Sequence, residues 1–128
     1  MGAHLLIDGM NLIGSRAGGW WRDPDGAIRR LIEELEAHAA STGDALEVVF
    51  DYRPGGLRPG TAGGIKVRFA DGGRDAADRL IAALVREHPH PETVTVVTSD
   101  KALREAVERA GASVIGAGTF ARRLGDEG

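Results

Sequence analysis

Asp8, Asp51, Asp71, Asp75, Asp78 and Asp100 are the residues of this chain whose type and spacing point most clearly to chemistry. Asp8 closes the apolar run Leu5-Leu6-Ile7, Asp51 closes Val48-Val49-Phe50, Asp71 follows Phe69, and Asp100 follows a β-branched run through Ser99. Asp75 and Asp78 open a segment of helical periodicity. If the apolar runs are parallel strands, these six of the chain's ten aspartates share one sheet edge. Like charges gathered in that way are costly unless a cation separates them. Oxygen-only donors suit a hard cation, Mg²⁺ or Mn²⁺, held by few carboxylates and several waters. Asp8 carries the strongest signal, because an acid at the buried end of a central strand is expensive without a partner. Asn11 is spaced to orient a carboxylate or a water, or to close a turn. Each of the other acids has a structural alternative. Asp75, Asp78 and Asp100 suit helix N-termini, and Asp51 and Asp71 suit turns.

The elements that must position these acids alternate along the chain. His4 to Asp8 reads as a strand. Pro24 to Ala40 has helical spacing, with Ile28, Leu31, Ile32 and Leu35 on one face. Asp23 before Pro24 is a capping residue followed by proline in the first turn, and Gly43 lies past the end. Ala45 to Asp51 is β-like, residues 52 to 64 are rich in Pro and Gly and read as a loop, and Ile65 to Phe69 alternates as a half-exposed or edge strand does. Asp75 to Glu87 is helical and is broken by His88-Pro89-His90-Pro91. Thr93 to Thr98 reads as a strand, Lys101 to Ala110 as a helix closed by Gly111, Ser113 to Ile115 as a last strand, and Thr119 to Leu124 as a final helical turn or two. Strands alternating with helices predict an α/β domain with a mostly parallel sheet. Ligands in such sheets sit beyond the carboxyl ends of the strands, at the switch point of strand order.

Composition narrows the class. A chain of 128 residues with 42% hydrophobic and 27% charged residues reads as one ordinary globular domain. No apolar run approaches the ~20 residues of a membrane span. Met1-Gly2-Ala3-His4 carries no basic stretch ahead of an apolar one, so no export signal is visible and the cytoplasm is the expected compartment. The chain has no cysteine, which excludes a disulfide scaffold, a thiolate metal site and a thiol nucleophile. A net charge of −3 argues against a generally basic nucleic-acid coat. Of 16 basic residues 14 are Arg, all but Lys66 and Lys101. His4, His38, His88 and His90 lie by the first strand, on a helix and among prolines, and read as structural or solvated.

The sequence around the acids resembles a known family. Leu5 to Ile13, with Asp8 and Asn11, is similar to the opening motif of NYN-domain proteins, a branch of the PIN-like nucleases. Val48-Val49-Phe50-Asp51 resembles their second strand, and Asp75 to Ile81 resembles the acid-bearing helix of the YacP-like group. Val96 to Asp100 resembles their fourth strand with its Ser-Asp pair. The matches run in order over nearly the whole chain, 1–128. The resemblance implies a PIN-like three-layer fold, a mostly parallel five-stranded sheet in the order 3-2-1-4-5, and Asp8 and Asp100 facing each other across the switch point. It also implies metal-dependent RNA cleavage by in-line attack, leaving 5′-phosphate and 3′-hydroxyl ends. Two departures stand out. The chain ends soon after Leu124, and Asp75 stands where Glu is expected, so its shorter arm could act from behind the metal's immediate ligands.

With no thiol and no placed histidine, the chemistry falls to the metal. Asp8, Asp78 and Asp100 are the expected catalytic ligands, with Asp75 and Asp51 completing a second site or orienting waters, and Asn11 and Ser99 in support. The expected role of the cation is to lower the pKa of a water and neutralise charge on the transition state. The loops at that edge hold Arg16, Arg22, Arg53, Arg58 and Arg74, together with Trp20, Trp21 and Tyr52. Arg with aromatics on Gly-rich loops suits single-stranded RNA, through phosphate contacts and stacking. Alternatively, Trp20 and Trp21 cover the helix at 24–40 as a lid. The ribosome or another structured RNA, and a second copy of the chain, stay open as partners, and a membrane does not. A phosphoacceptor receiver lacks its acidic pair and its lysine here, and Gly9 to Gly14 lacks the dinucleotide-binding spacing. The remaining rival is a non-catalytic PIN-like RNA-binding or interaction module.

Overall fold

The computed structural model describes residues 3–16 and 18–127. Met1 and Gly2, the start of the stretch read as carrying no export signal, Ala17, between Gly14 and Arg22, and Gly128 lie outside the described residues. The strands are β1 (His4–Asp8), β2 (Ala45–Phe50), β3 (Gly60–Ala62), β4 (Ile65–Phe69), β5 (Val94–Val97) and β6 (Ser113–Ile115). The helices are α1 (Gly9–Gly14), α2 (Pro24–Thr42), α3 (Ala76–Glu87), α4 (Lys101–Arg109) and α5 (Ala117–Glu127). The strands form one sheet in the order β3-β4-β2-β1-β5-β6. Five of them are parallel, in the order the sequence implies, and the switch point lies between β1 and β5.

The sixth strand corrects the reading of residues 52 to 64 as loop throughout. Gly60–Ala62 pairs antiparallel with β4 through a two-residue turn at Gly63 and Gly64. Both glycines have positive φ, 58° and 84°, as the tight turn that matches strand twist requires. Ile65 to Val67 are therefore covered on the outer side rather than at an edge, and the strand is half-exposed as its alternation predicts. A second difference concerns Gly9–Gly14, a short helix in a stretch to which the sequence assigns no element. Glycines at both ends hide it from propensity. Burial of Leu12 and Ile13 against the core holds it. The last helix is also longer than expected, because Ala117, Phe120 and Leu124 place one apolar stripe on the core.

Strand alternation divides the core. Leu5, Ile7, Leu46, Val48 and Phe50 face α1, α2 and α5, while Leu6, Val49, Val94 and Val96 face α3 and α4. Asp8 has the parity of Leu6, and Thr98 has the parity of Val96. The alternation that buries the core thus points both residues toward the face carrying α3 and α4.

Gly9 is where β1 turns into α1. A Cβ there would lie 2.5 Å from two Phe50 ring carbons and 3.0 Å from the Val49 carbonyl oxygen. Phe50 is fully buried and stacked on Phe69, so it has no room to yield. Gly9→Ala is expected to destabilise by ~1–3 kcal/mol, as overpacking does. The check is the denaturant midpoint, and an unchanged midpoint would contradict this packing.

Candidate active site

Asp8 is 3% exposed, at the carboxyl end of the central strand. Its Oδ2 accepts from the Thr98 hydroxyl at 3.0 Å, and its Oδ1 lies 3.5 Å from the Asn11 amide. On its other side its carboxyl shares a hydrogen bond with Asp78, which α3 presents in its first turn. Burial, then the Asp78 charge, then that shared bond push the Asp8 carboxyl up to about 7. Asp78 is also raised, chiefly by burial. The hydrogen bond from Asp8 opposes the rise, and the charges of Asp100, Asp75 and Asp51 add to it. Asp8, Asp78, Asp100, Asp75 and Asp51 are therefore one electrostatic cluster. Asp71 stands apart, exposed beside Phe69 and Arg79.

Each acid is set by a local device. Asp100 caps α4, its Oδ1 accepting from the Leu103 amide at 2.8 Å. Its own amide donates to Thr98 Oγ1 at 3.1 Å. Thr98 is thus tied to both Asp8 and Asp100 across the β1/β5 switch point. Asp51, beyond β2, accepts from the Ala77 amide at 2.9 Å and so fastens the start of α3, next to Asp78. Asp75 does not cap α3 with its side chain. It is exposed, with φ 59°, the one non-glycine residue of positive φ among the described residues. Asn11 Oδ1 accepts from the Ser99 amide at 2.8 Å, and Ser99 Oγ accepts from the Ala117 amide at 2.9 Å. Asn11 and Ser99 thereby link α1, the β5–α4 connection and α5. Sequence reasoning did not include Thr98, although its parity with Val96 put it on the face of Asp8.

The donor set fits a hard divalent cation in composition. It is all oxygen and partly buried, and Asp8 and Asp78 are both pushed up, as like charges are when nothing positive separates them. Among the described residues, no three acidic or imidazole groups surround a common point at ligating distance. Asp51 and Asp100 each commit one oxygen to a helix amide and keep the second outside that bond.

The basic and aromatic loop residues are less uniform than their grouping in the sequence implied. Arg16 makes a bidentate pair with Glu34 of α2, both bonds at 2.7 Å. Arg53 donates to the Leu57 carbonyl at 3.0 Å, within its own loop. Arg58 lines a cavity with Ile32 and Thr61. Arg22 and Arg74 are exposed. Tyr52 is half-buried and donates to Asp25 Oδ1 at 2.6 Å, which with burial pushes its phenol up to about 12. Its hydroxyl thereby braces the loop against α2. The tryptophans divide the two roles. Trp20 packs against the core, whereas Trp21, edge-on to it at 6.4 Å, is 64% exposed. The histidines lie elsewhere, His38 buried against Asp44 and Phe120, and His4 beside His88.

The model of the YacP-like NYN domain matches residues 5–127. The chain belongs to the YacP-like NYN family. NYN domains are a branch of the PIN-like nucleases, and the sheet order agrees with that fold. Two solved structures are similar to this NYN chain over nearly all its length. Rae1 (YacP) from Bacillus subtilis is 26% identical with a TM-score of 0.73, over 99% of this chain and 75% of that one. A tryptophan-to-leucine mutant of it is 26% identical with a TM-score of 0.74, over 98% and 76%. No curated protein matches the chain. Among the described residues no helix is long and apolar enough to cross a membrane.

Proposed function

We propose that this NYN chain is a metal-dependent endoribonuclease that cleaves single-stranded RNA. The observation that carries the reading is buried Asp8 beside half-buried Asp78 at the switch point, joined through Thr98 to Asp100. Such a pair costs stability and is hard to explain in a module that only binds. Asp8, Asp78 and Asp100 would hold Mg²⁺ or Mn²⁺, with Asp51 and Asp75 adding negative charge. When bound, the cation supplies positive charge that lowers the pKa of a water and offsets charge at the phosphate. The chain's own residues set the geometry. Thr98 orients Asp8, the cap bond to Leu103 orients Asp100, and Asp51 fixes the start of α3 and with it Asp78. The neighbouring loops would grip the strand through Arg22, Arg74 and the exposed Trp21.

Incubation of the purified chain with labelled single-stranded RNA tests this reading. Cleavage in Mn²⁺ is expected to give 5′-phosphate ends and to fall by at least ~100-fold in excess EDTA, the scale of losing a key electrostatic group. Undiminished cleavage in EDTA would refute the metal-dependent reading, and no cleavage in either condition would leave a binding module.

A further inference from the structure

A cavity of about 200 Å³ opens between the end of α1 and the face of α2. Its apolar walls include Ile13, Leu31 and Trp20, and its polar walls are Arg16, Arg30 and Glu34. Arg16 and Glu34 neutralise each other through their two bonds. Among the described residues Arg30 makes no direct ion pair, and its nearest carboxylate is Asp23, across Gly26, so its guanidinium donors are available to a ligand. The cavity is near the acids in the chain. It begins where α1 ends, and six helical residues span about 9 Å from Asp8. That is roughly two or three stacked nucleotides.

We propose that this cavity is a subsite for a guanine base of the RNA, a reading that rests on the nuclease function proposed above. The wall supplies an apolar slot that includes the Trp20 side chain, donors on Arg30 and a carboxylate held in place by Arg16. Guanine presents two adjacent acceptors, O6 and N7, which one guanidinium meets with two bonds. It also presents the N1–H and N2–H donors, which suit the lone pairs that Glu34 keeps beyond its bonds to Arg16. Adenine sets a donor where Arg30 needs an acceptor. Pyrimidines offer less surface to Trp20 and no N7. Trp21, edge-on to Trp20 and exposed, continues the aromatic surface for the neighbouring base.

The test titrates the full chain, in EDTA, with GMP, AMP, CMP and UMP, following tryptophan fluorescence. GMP is expected to bind at least ~10-fold more tightly than the others, within the range one bidentate base contact supplies. Arg30→Gln, an exposed position on α2, is expected to remove that preference, and Trp20→Leu to weaken all four nucleotides. In Mn²⁺, wild type is expected to favour RNA with G at a fixed offset from the cut, and Arg30→Gln to lose that offset. Absence of saturable GMP binding, equal binding of GMP and UMP, or a GMP affinity unmoved by Arg30→Gln would overturn the subsite. The two readings fail separately. RNA cleaved without base preference, with no GMP selectivity, removes the subsite alone. Selective GMP binding with no RNA cleavage removes the nuclease alone.

Discussion

Asp8→Asn is expected to lower RNA cleavage by at least ~100-fold and, in chelator at pH 8, to raise the melting temperature. The substitution keeps the shape of the side chain and one oxygen, which serves the Asn11 amide, while the Thr98 hydroxyl loses its acceptor, a cost that does not change with pH above 4 and is smaller than the charge term. It removes the ability to carry charge at a site where burial and Asp78 disfavour charge. The native carboxyl titrates at about 7, against an ordinary value of 3.8. Between those values the folded chain holds a proton that the unfolded chain has released, so stability falls as pH rises through that window. Above pH 7 the penalty is fully present. Below pH 4 it is gone. The variant lacks this term, so its advantage should be at or below zero at pH 4 and reach on the order of 1–4 kcal/mol by pH 8. The comparison must be made as variant minus wild type, because Asp44 is shifted the other way. Burial raises it, but bonds from the Ala3 amide, His38 and Thr42 outweigh that and hold it below its usual value. Its contribution is lost as pH falls, and it cancels in the difference. Parallel pH profiles for the two proteins would show that the Asp8 carboxyl is not raised.

Asp100→Asn is expected to separate chemistry from capping. The bond from the Leu103 amide to Oδ1 is one that Asn accepts equally well, so α4 keeps its start. Relief of repulsion with Asp78 favours the variant in chelator, while loss of the helix-dipole attraction opposes it by ~0.3–1 kcal/mol. A melting temperature equal to or above wild type is expected, with activity down at least ~100-fold. Asp100→Ala should lose activity as fully and should also lose ~0.5–2 kcal/mol of stability with the cap. Retained activity in Asp100→Asn would reduce Asp100 to a cap.

Much of this arrangement was legible in the residues themselves. The alternation of Leu5, Leu6, Ile7 and Asp8 is enough to turn an acid toward the α3 face, and proline, glycine and apolar spacing mark α2 at both ends. The acids at the strand ends share an edge because parallel strands share a direction. Other features were not legible because they arise from contacts distant in sequence. Arg16 meets Glu34 eighteen residues later, and Tyr52 reaches back to Asp25. Asp51 caps a helix that begins 25 residues further on, a role for which local spacing offers Asp75 and Asp78 instead as the alternative to chemistry. The hairpin at Gly63-Gly64 did carry a local signal, two glycines between short runs that can pair. The surrounding Pro and Gly obscured it.

Convergence of Asp8, Asp78 and Asp100 on one divalent cation is tested most directly by equilibrium binding of Mn²⁺. Mn²⁺ is titrated into wild type, Asp8→Asn, Asp78→Asn and Asp100→Asn in the absence of RNA, with the free ion followed by its electron spin resonance signal. The expected result is saturable binding to wild type that tightens from pH 6 to pH 8 as the Asp8 proton leaves, and at least ~10-fold weaker binding in each variant. Equal Mn²⁺ affinity in wild type and all three variants, or no saturable binding by wild type, would contradict it.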